Sequence, residues 1–169
     1  MALPDWVNER EWVNEQDWEN ALAKLHQVKA EVEAGSSTND QSYQEMKISR
    51  DEVFGRFAYL IRPEGIDRME REDLIDFMRI RNNKHWPMER QMGTIPQDID
   101  HIRRGLHFLA DESIPIEERL NDMLHGGKHA IPGAGINLIT AMLLLLKPDK
   151  YGVWNGTSQA ALDVLNLFP

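Results

Sequence analysis

His129-Ala130-Ile131-Pro132-Gly133-Ala134-Gly135-Ile136-Asn137 runs straight into Leu138-Ile139-Thr140-Ala141-Met142-Leu143-Leu144-Leu145-Leu146, and the reading of this passage decides the fold. Pro132 and two alternating glycines make a tight turn, and Ile136 to Leu146 read as one apolar helix, stopped by Pro148. Backbone N–H groups at a helix start lack intrahelical acceptors and carry partial positive charge. Glycine there lets an anion reach the bare backbone. The passage is therefore either a phosphate-binding hairpin or a tight turn inside a helical core, and spacing alone leaves both open.

Upstream, Pro115 sits just inside a helix start, with Glu117 and Glu118 placed for its dipole and Leu120, Met123 and Leu124 facing inward. Gly126-Gly127 ends that helix. Before it, Pro96 and Asp98 open a helix whose buried stripe is Ile99, Ile102, Leu106 and Leu109, with Arg103 and Arg104 on its flank. Further back, Ser49-Arg50-Asp51-Glu52 has capping-box spacing ahead of Val53, Phe57, Leu60 and Ile61, and Pro63 and Gly65 end that helix. A helix over 68–81 buries Leu74, Phe77 and Met78 and stops at Asn82-Asn83. In the loop that follows, Trp86 lies between His85 and Pro87, with Lys84 and Arg90 nearby. It either stacks on a base or plugs the core.

The N-terminal stretch reads as a helix over 4–34, begun by Pro4 and stopped by Gly35. Trp6, Trp12 and Trp18 recur every six residues, which is not a helical period. From Trp18 on, Leu22, Leu25, Val28 or Lys29, and Val32 form an apolar stripe suited to packing on the rest of the domain. Residues 1–34 are thus an acidic helical arm, 35–44 a linker and 45–169 the main helical domain. No stretch alternates with period two, so the fold class is all-α, with about seven helices.

The 169 residues, 41% hydrophobic and 28% charged, suit a globular chain with a proper core. The absence of cysteine excludes disulfides, thiolate zinc sites and cysteine nucleophiles. No secretory signal opens the chain, and its longest apolar run is too short for a bilayer, so the expected location is cytoplasmic, without membrane contact. The net charge of −9 is uneven: residues 1–45 carry −7 while 79–104 carry +3. A local basic face can bind phosphate on an acidic protein. His125 and His129 have metal-ligand spacing, but Gly126-Gly127 breaks the helix between them, so no metal site is expected. There is no nucleophile elbow at Ser158, no Walker loop and no dinucleotide fingerprint, and no cofactor is expected.

Three segments carry a resemblance. The turn Ile131-Pro132-Gly133-Ala134-Gly135, the apolar helix with Thr140-Ala141, and Pro148-Asp149-Lys150-Tyr151-Gly152-Val153-Trp154-Asn155 resemble the helix-hairpin-helix core of the base-excision DNA glycosylases, over roughly residues 115–166. The resemblance implies a hairpin that binds phosphates of one DNA strand. In that family a hairpin lysine is the nucleophile of bifunctional members, and an aspartate opening a later helix is the shared catalytic acid. Here Asn137 stands at the first position and Asn155 at the second, so both chemical positions are degenerate. An amide still caps a helix but cannot ionise. A wider resemblance, through Asn82-Asn83-Lys84-His85-Trp86, Asp111-Glu112-Ser113-Ile114-Pro115-Ile116-Glu117-Glu118-Arg119-Leu120 and Tyr151-Gly152-Val153-Trp154-Asn155, is to a helical module of restriction-type proteins.

These resemblances imply a non-catalytic module of a restriction or defence protein that binds double-stranded DNA, modified or unmodified. Lys128, His129, Gly133, Gly135, Ile136 and Asn137 would hold phosphate, joined by Arg103 and Arg104 if these share a face. The apolar end Leu167-Phe168-Pro169 reads as a cut in a longer chain, with a fused effector domain beyond it. Two alternatives stand beside this: an active glycosylase using an unusual acid such as Asp149 or Asp163, and a protein-interaction domain whose acidic, Trp-rich arm meets a protein partner.

Overall fold

A computed structural model of the chain describes residues 15–34 and 43–165. All regular structure among the described residues is helical: α1 (Glu15–Glu33), α2 (Tyr43–Phe57), α3 (Pro63–Arg68), α4 (Arg71–Met78), α5 (Ile99–Ala110), α6 (Ile116–Leu124), α7 (Ile136–Leu146) and α8 (Gly156–Val164), with 3-10 segments at Ala58–Ile61 and Glu89–Thr94. The all-α class follows directly. The expected helix start at Pro4, the Trp6 and Trp12 echo, the Gly35 stop, the linker residues 35–42 and the tail Leu167-Phe168-Pro169 lie outside the described residues.

The chain divides into two compact units, residues 1–49 with 155–169, and Arg50–Trp154. In the first, α1 and α8 border a cavity of about 180 Å³ lined by Asp17, Asn20, Ala21, Lys24, Val164 and Leu165. Ala21 is buried, whereas Leu25 and Val28 are 49% and 48% exposed. These two members of the stripe expected to pack on the domain are thus open to solvent, while Leu22 is half-buried. Asn155 caps α8: its Oδ1 accepts from the Thr157 and Ser158 N–H groups at 2.9 and 3.0 Å, and its own N–H donates to Ser158 Oγ at 2.8 Å. This reciprocal pair satisfies donors that the helix itself leaves unpaired.

The second unit is built around α7. Leu138, Ile139, Thr140, Ala141, Met142, Leu143 and Leu145 are all buried, as a helix apolar on every side must be. It packs on the 3-10 segment Ala58–Ile61, on α5 and on α6. Around it lie Val53, Phe57, Leu60, Ile61, Ile66, Leu74, Phe77, Met78, Ile102, Leu106, Leu109 and Met123 in one apolar core. The one hydroxyl in this helix, Thr140 Oγ1, donates to the Ile136 carbonyl at 2.7 Å and accepts from the Trp154 N–H at 2.9 Å. It thereby pins the segment after α7.

Several local expectations are corrected. Ser49 does not open a helix, because α2 is already under way from Tyr43, which also removes Tyr43 and Gln44 from the linker. Pro63 does not simply end a helix. It opens α3 at the first position, where its missing N–H costs nothing, and supplies the eighth helix. Gly65 lies inside α3, and a Cβ there would stand 1.9 Å from the Tyr59 carbonyl oxygen, so only glycine lets the two turns approach. The helix expected over 68–81 is Arg71–Met78. Its turn onward is organised by the buried Asn83, whose Nδ2 donates to the Trp86 carbonyl and whose Oδ1 accepts the Trp86 N–H. Trp86 is half-buried against the core, edge-on to Phe54 with ring centroids 6.2 Å apart.

Candidate functional site

The connection from α6 to α7 begins with a glycine stop. Gly126 has φ +74° and the Gly127 N–H donates to the Asp122 carbonyl at 2.8 Å, the six-to-one bond of a Schellman end. Asp122 then turns its carboxylate back on the connection. Oδ1 accepts the His129 N–H at 2.9 Å, and Oδ2 lies 3.3 Å from His129 Nδ1, a close contact without good hydrogen-bond alignment.

From there the chain runs along one face of α5. His101 Nε2 and the Ala130 carbonyl oxygen are 2.8 Å apart. Gly105 has no side chain where one would meet the His129 carbonyl at 2.7 Å and Ile131 Cγ1 at 2.6 Å. Phe108 stacks on the His129 ring, 4.0 Å between centroids and 11° between planes. Residues 101, 105 and 108 fall on one helical face, so a single stripe of α5 carries residues 129–131. Arg104 is in the same arc. Arg103, one residue round the helix, is held elsewhere: it donates to the Met69 carbonyl at 2.7 Å and lies 3.3 Å from Asp100.

The tip of the connection meets the 3-10 segment Glu89–Thr94. Gly133 has φ +81°, and a Cβ there would come within 2.3 Å of Thr94 Oγ1. Behind that contact, the Arg71 guanidinium donates to the carbonyls of Pro96 and Ile95 at 3.1 and 3.2 Å and holds the loop in place. Gly135 is the N-cap of α7, with ordinary extended φ and ψ and no capping side chain. Its only close neighbour in the Cβ direction is Gln91 Nε2 at 3.6 Å, and Gln91 Oε1 is buried without a partner. Ile136 is 39% exposed and Asn137 is half-buried.

The sequence-expected residues therefore fall in three places. Gly133, Gly135, Ile136 and Asn137 form the tip and the start of α7. Lys128, His129 and Arg104 line a cleft of about 400 Å³ together with His107, Phe108 and Asp111. Arg103 belongs to neither. Asn155 lies in the other unit, with its side-chain oxygen occupied by the α8 cap. The 3-10 segment that abuts the tip brings Gln91, which the sequence does not single out, and Arg90, which it places only beside Trp86. Arg90 was legible only as one of several basic residues, since nothing local places that segment against residues 133–135.

No family model, curated protein or solved structure matches the chain. The site's chemistry has to come from its own residues. No cluster of three or more His, Asp and Glu side chains suited to a metal occurs among the described residues, and none of the described helices is long and apolar enough to cross a membrane.

A separate polar cluster joins the ends of two segments that the sequence showed only as motifs. Arg119, 1% exposed, donates to the Leu109 carbonyl at 2.6 Å and to Tyr151 Oη at 3.0 Å. The Tyr151 hydroxyl in turn donates to Glu112, which also pairs with Lys147 and Lys150. Although burial pushes its pKa up, hydrogen bonds and charge from Lys150 and Arg119 outweigh it, and the Tyr151 phenol titrates below its ordinary value. The cluster ties the α5–α6 turn to residues 147–151 and is structural.

Proposed function

We propose that α6, its glycine-rich connection and α7 form a helix-hairpin-helix that grips backbone phosphates of duplex DNA without reacting with it. One observation carries this reading. The α7 cap is a glycine, so the Ile136 and Asn137 N–H groups have neither an intrahelical acceptor nor a capping side chain, at a partly exposed helix start. Arg104 and Lys128, together with Arg90 on the neighbouring 3-10 segment, supply positive charge in an acidic chain. The absence of catalysis follows from the two amides. Asn137 cannot act as the amine nucleophile, and Asn155 cannot ionise; losing a carboxylate charge at a developing sugar cation costs about a hundredfold or more in rate. The setting in a longer restriction or defence protein belongs to the same proposal.

The competing reading is a packed turn in a protein-interaction domain, and the fit of Gly133 against Thr94 is what favours it. Gly135→Asp separates the two. Aspartate is among the best N-caps and suits the local backbone, so the fold keeps or gains stability. Its carboxylate takes the free N–H groups and repels phosphate. The expected outcome is micromolar binding of duplex DNA by the native chain at low salt, and at least tenfold weaker binding by the variant at an unchanged or higher Tm. Equal binding by both proteins would remove the hairpin from the interface.

A further inference from the structure

The cleft between α5 and the start of the connection is a different place from the hairpin tip, and its charges do not balance. Six side chains line its 400 Å³: Arg104, His107, Phe108, Asp111, Lys128 and His129. That volume falls within the range of small-ligand pockets, about 300–1,000 Å³. Each imidazole already faces a carboxylate outside the lining, His107 on Asp67 at 2.8 Å and His129 beside Asp122 at 3.3 Å. The single acid in the lining, Asp111, is an anion that offsets one of the two cations in charge, but its near oxygen is turned to Ser113. Asp111 Oδ1 accepts from the Ser113 hydroxyl at 2.6 Å and from the Ser113 N–H at 3.0 Å, and these bonds hold its carboxyl below the ordinary range. Arg104 and Lys128 are left with no ion-pair partner among the described residues, although acids outnumber bases by nine in the whole chain.

Two cations without an ion-pair partner, against one carboxylate in the lining, favour an anion, and a guanidinium with an ammonium is the pairing that binds phosphate. Phe108, half-buried and backed by His129, gives the cleft an apolar wall suited to the non-ionic part of the ligand. We infer that this cleft binds a phosphate monoester carried on a nucleoside, with Arg104 and Lys128 on the phosphate and Phe108 against the nucleoside. The two sources of that chemistry are a free mononucleotide and the phosphorylated end of a DNA strand. The second source rests on the DNA-binding reading. The first does not.

The test uses the full chain, labelled for NMR and titrated at low salt with thymidine 5′-monophosphate or with thymidine. The expected result is saturable shifts of the Arg104, Phe108, Lys128 and His129 amides with the monophosphate and none with the nucleoside. Arg104→Ala and Lys128→Ala, both at exposed positions, should each weaken binding by about tenfold with the fold intact. Shifts that are absent, equal for the two probes, or unaffected by both substitutions overturn the cleft. A 5′-phosphorylated duplex that perturbs these amides more than its 5′-hydroxyl counterpart identifies strand ends as the source, while a response to the mononucleotide alone identifies a small molecule. Either result supports the site. Closed circular duplex, which has no ends, reports on the hairpin grip, which shares Arg104 and Lys128 with the cleft. If it fails to bind while the monophosphate does, the cleft stands and the DNA reading falls.

Discussion

Two glycines two residues apart have opposite needs. Gly133 sits at φ +81° against Thr94, so Gly133→Ala meets both a disfavoured backbone and a steric clash. The expected loss is about 2–4 kcal/mol, read as a lowered denaturation midpoint. Gly135 has room for a side chain and an ordinary backbone, so Gly135→Ala should change stability by about 1 kcal/mol or less. Sequence spacing marks both glycines but cannot rank them, because the difference lies in Thr94, 39 residues before Gly133. The Gly126-Gly127 stop and the Asp98 cap were legible, since every partner sits within a few residues. Arg103 and Arg104 looked equivalent until the partners of α5 were known. Tyr59 gives a further test at this scale. Burial and the neighbouring Asp73 push its phenol up to about 12 from 10.0. Between those values an unfolded chain loses this proton while the folded one keeps it, so the contribution of Tyr59 falls as pH rises from about 10 to 12. Tyr59→Phe should flatten the alkaline decline in that window, measured by urea midpoints across pH. A midpoint profile identical to the native one would reject the assignment.

The elements of the second unit depend on one buried cation. Arg119 projects from α6 to close the last turn of α5 at the Leu109 carbonyl and to hold Tyr151 beyond α7. Arg119→Met fills much of the same volume but leaves that carbonyl buried without its donor and frees the Tyr151–Glu112 pair. The expected cost is about 2–4 kcal/mol. It should appear as a lowered Tm and as faster amide exchange in residues 147–154, with the α4 amides less affected. The sequence shows this cluster only as parts of two runs, Asp111 to Leu120 and Tyr151 to Asn155. Their purpose is tertiary, so no periodicity revealed it. The α3 helix was missed for a different reason: Pro63 and Gly65 are strong stop signals, and a proline two residues before a glycine can equally begin a short turn. The false Ser49 cap arose because its spacing is common inside helices as well as at their starts.

For the whole molecule, charge sets how any phosphate contact behaves. The chain carries −9 overall, and among the described residues the cations without an ion-pair partner around the proposed interface are few, chiefly Arg90, Arg104 and Lys128. If two or three of them neutralise phosphates, the logarithm of the duplex affinity should fall with the logarithm of salt at a slope of about −2 to −3. Removing Lys128 should lessen that slope by about one. A slope near zero would place binding, if any, on uncharged contacts and count against the proposed grip.

Gly105 has a mechanical consequence. Without a side chain at this point, α5 seats its backbone directly against the His129 carbonyl and the Ile131 side chain, with no space between them. The helix and the connection must shift together, like two faces of a single hinge leaf. A ligand that displaces Arg104 on the helix would therefore carry Ile131 with it, and through Ile131 the glycine tip. Hydrogen exchange in residues 102–109 and 129–131 should slow in step on ligand binding, and Gly105→Ala should uncouple the two stretches by prising that contact open.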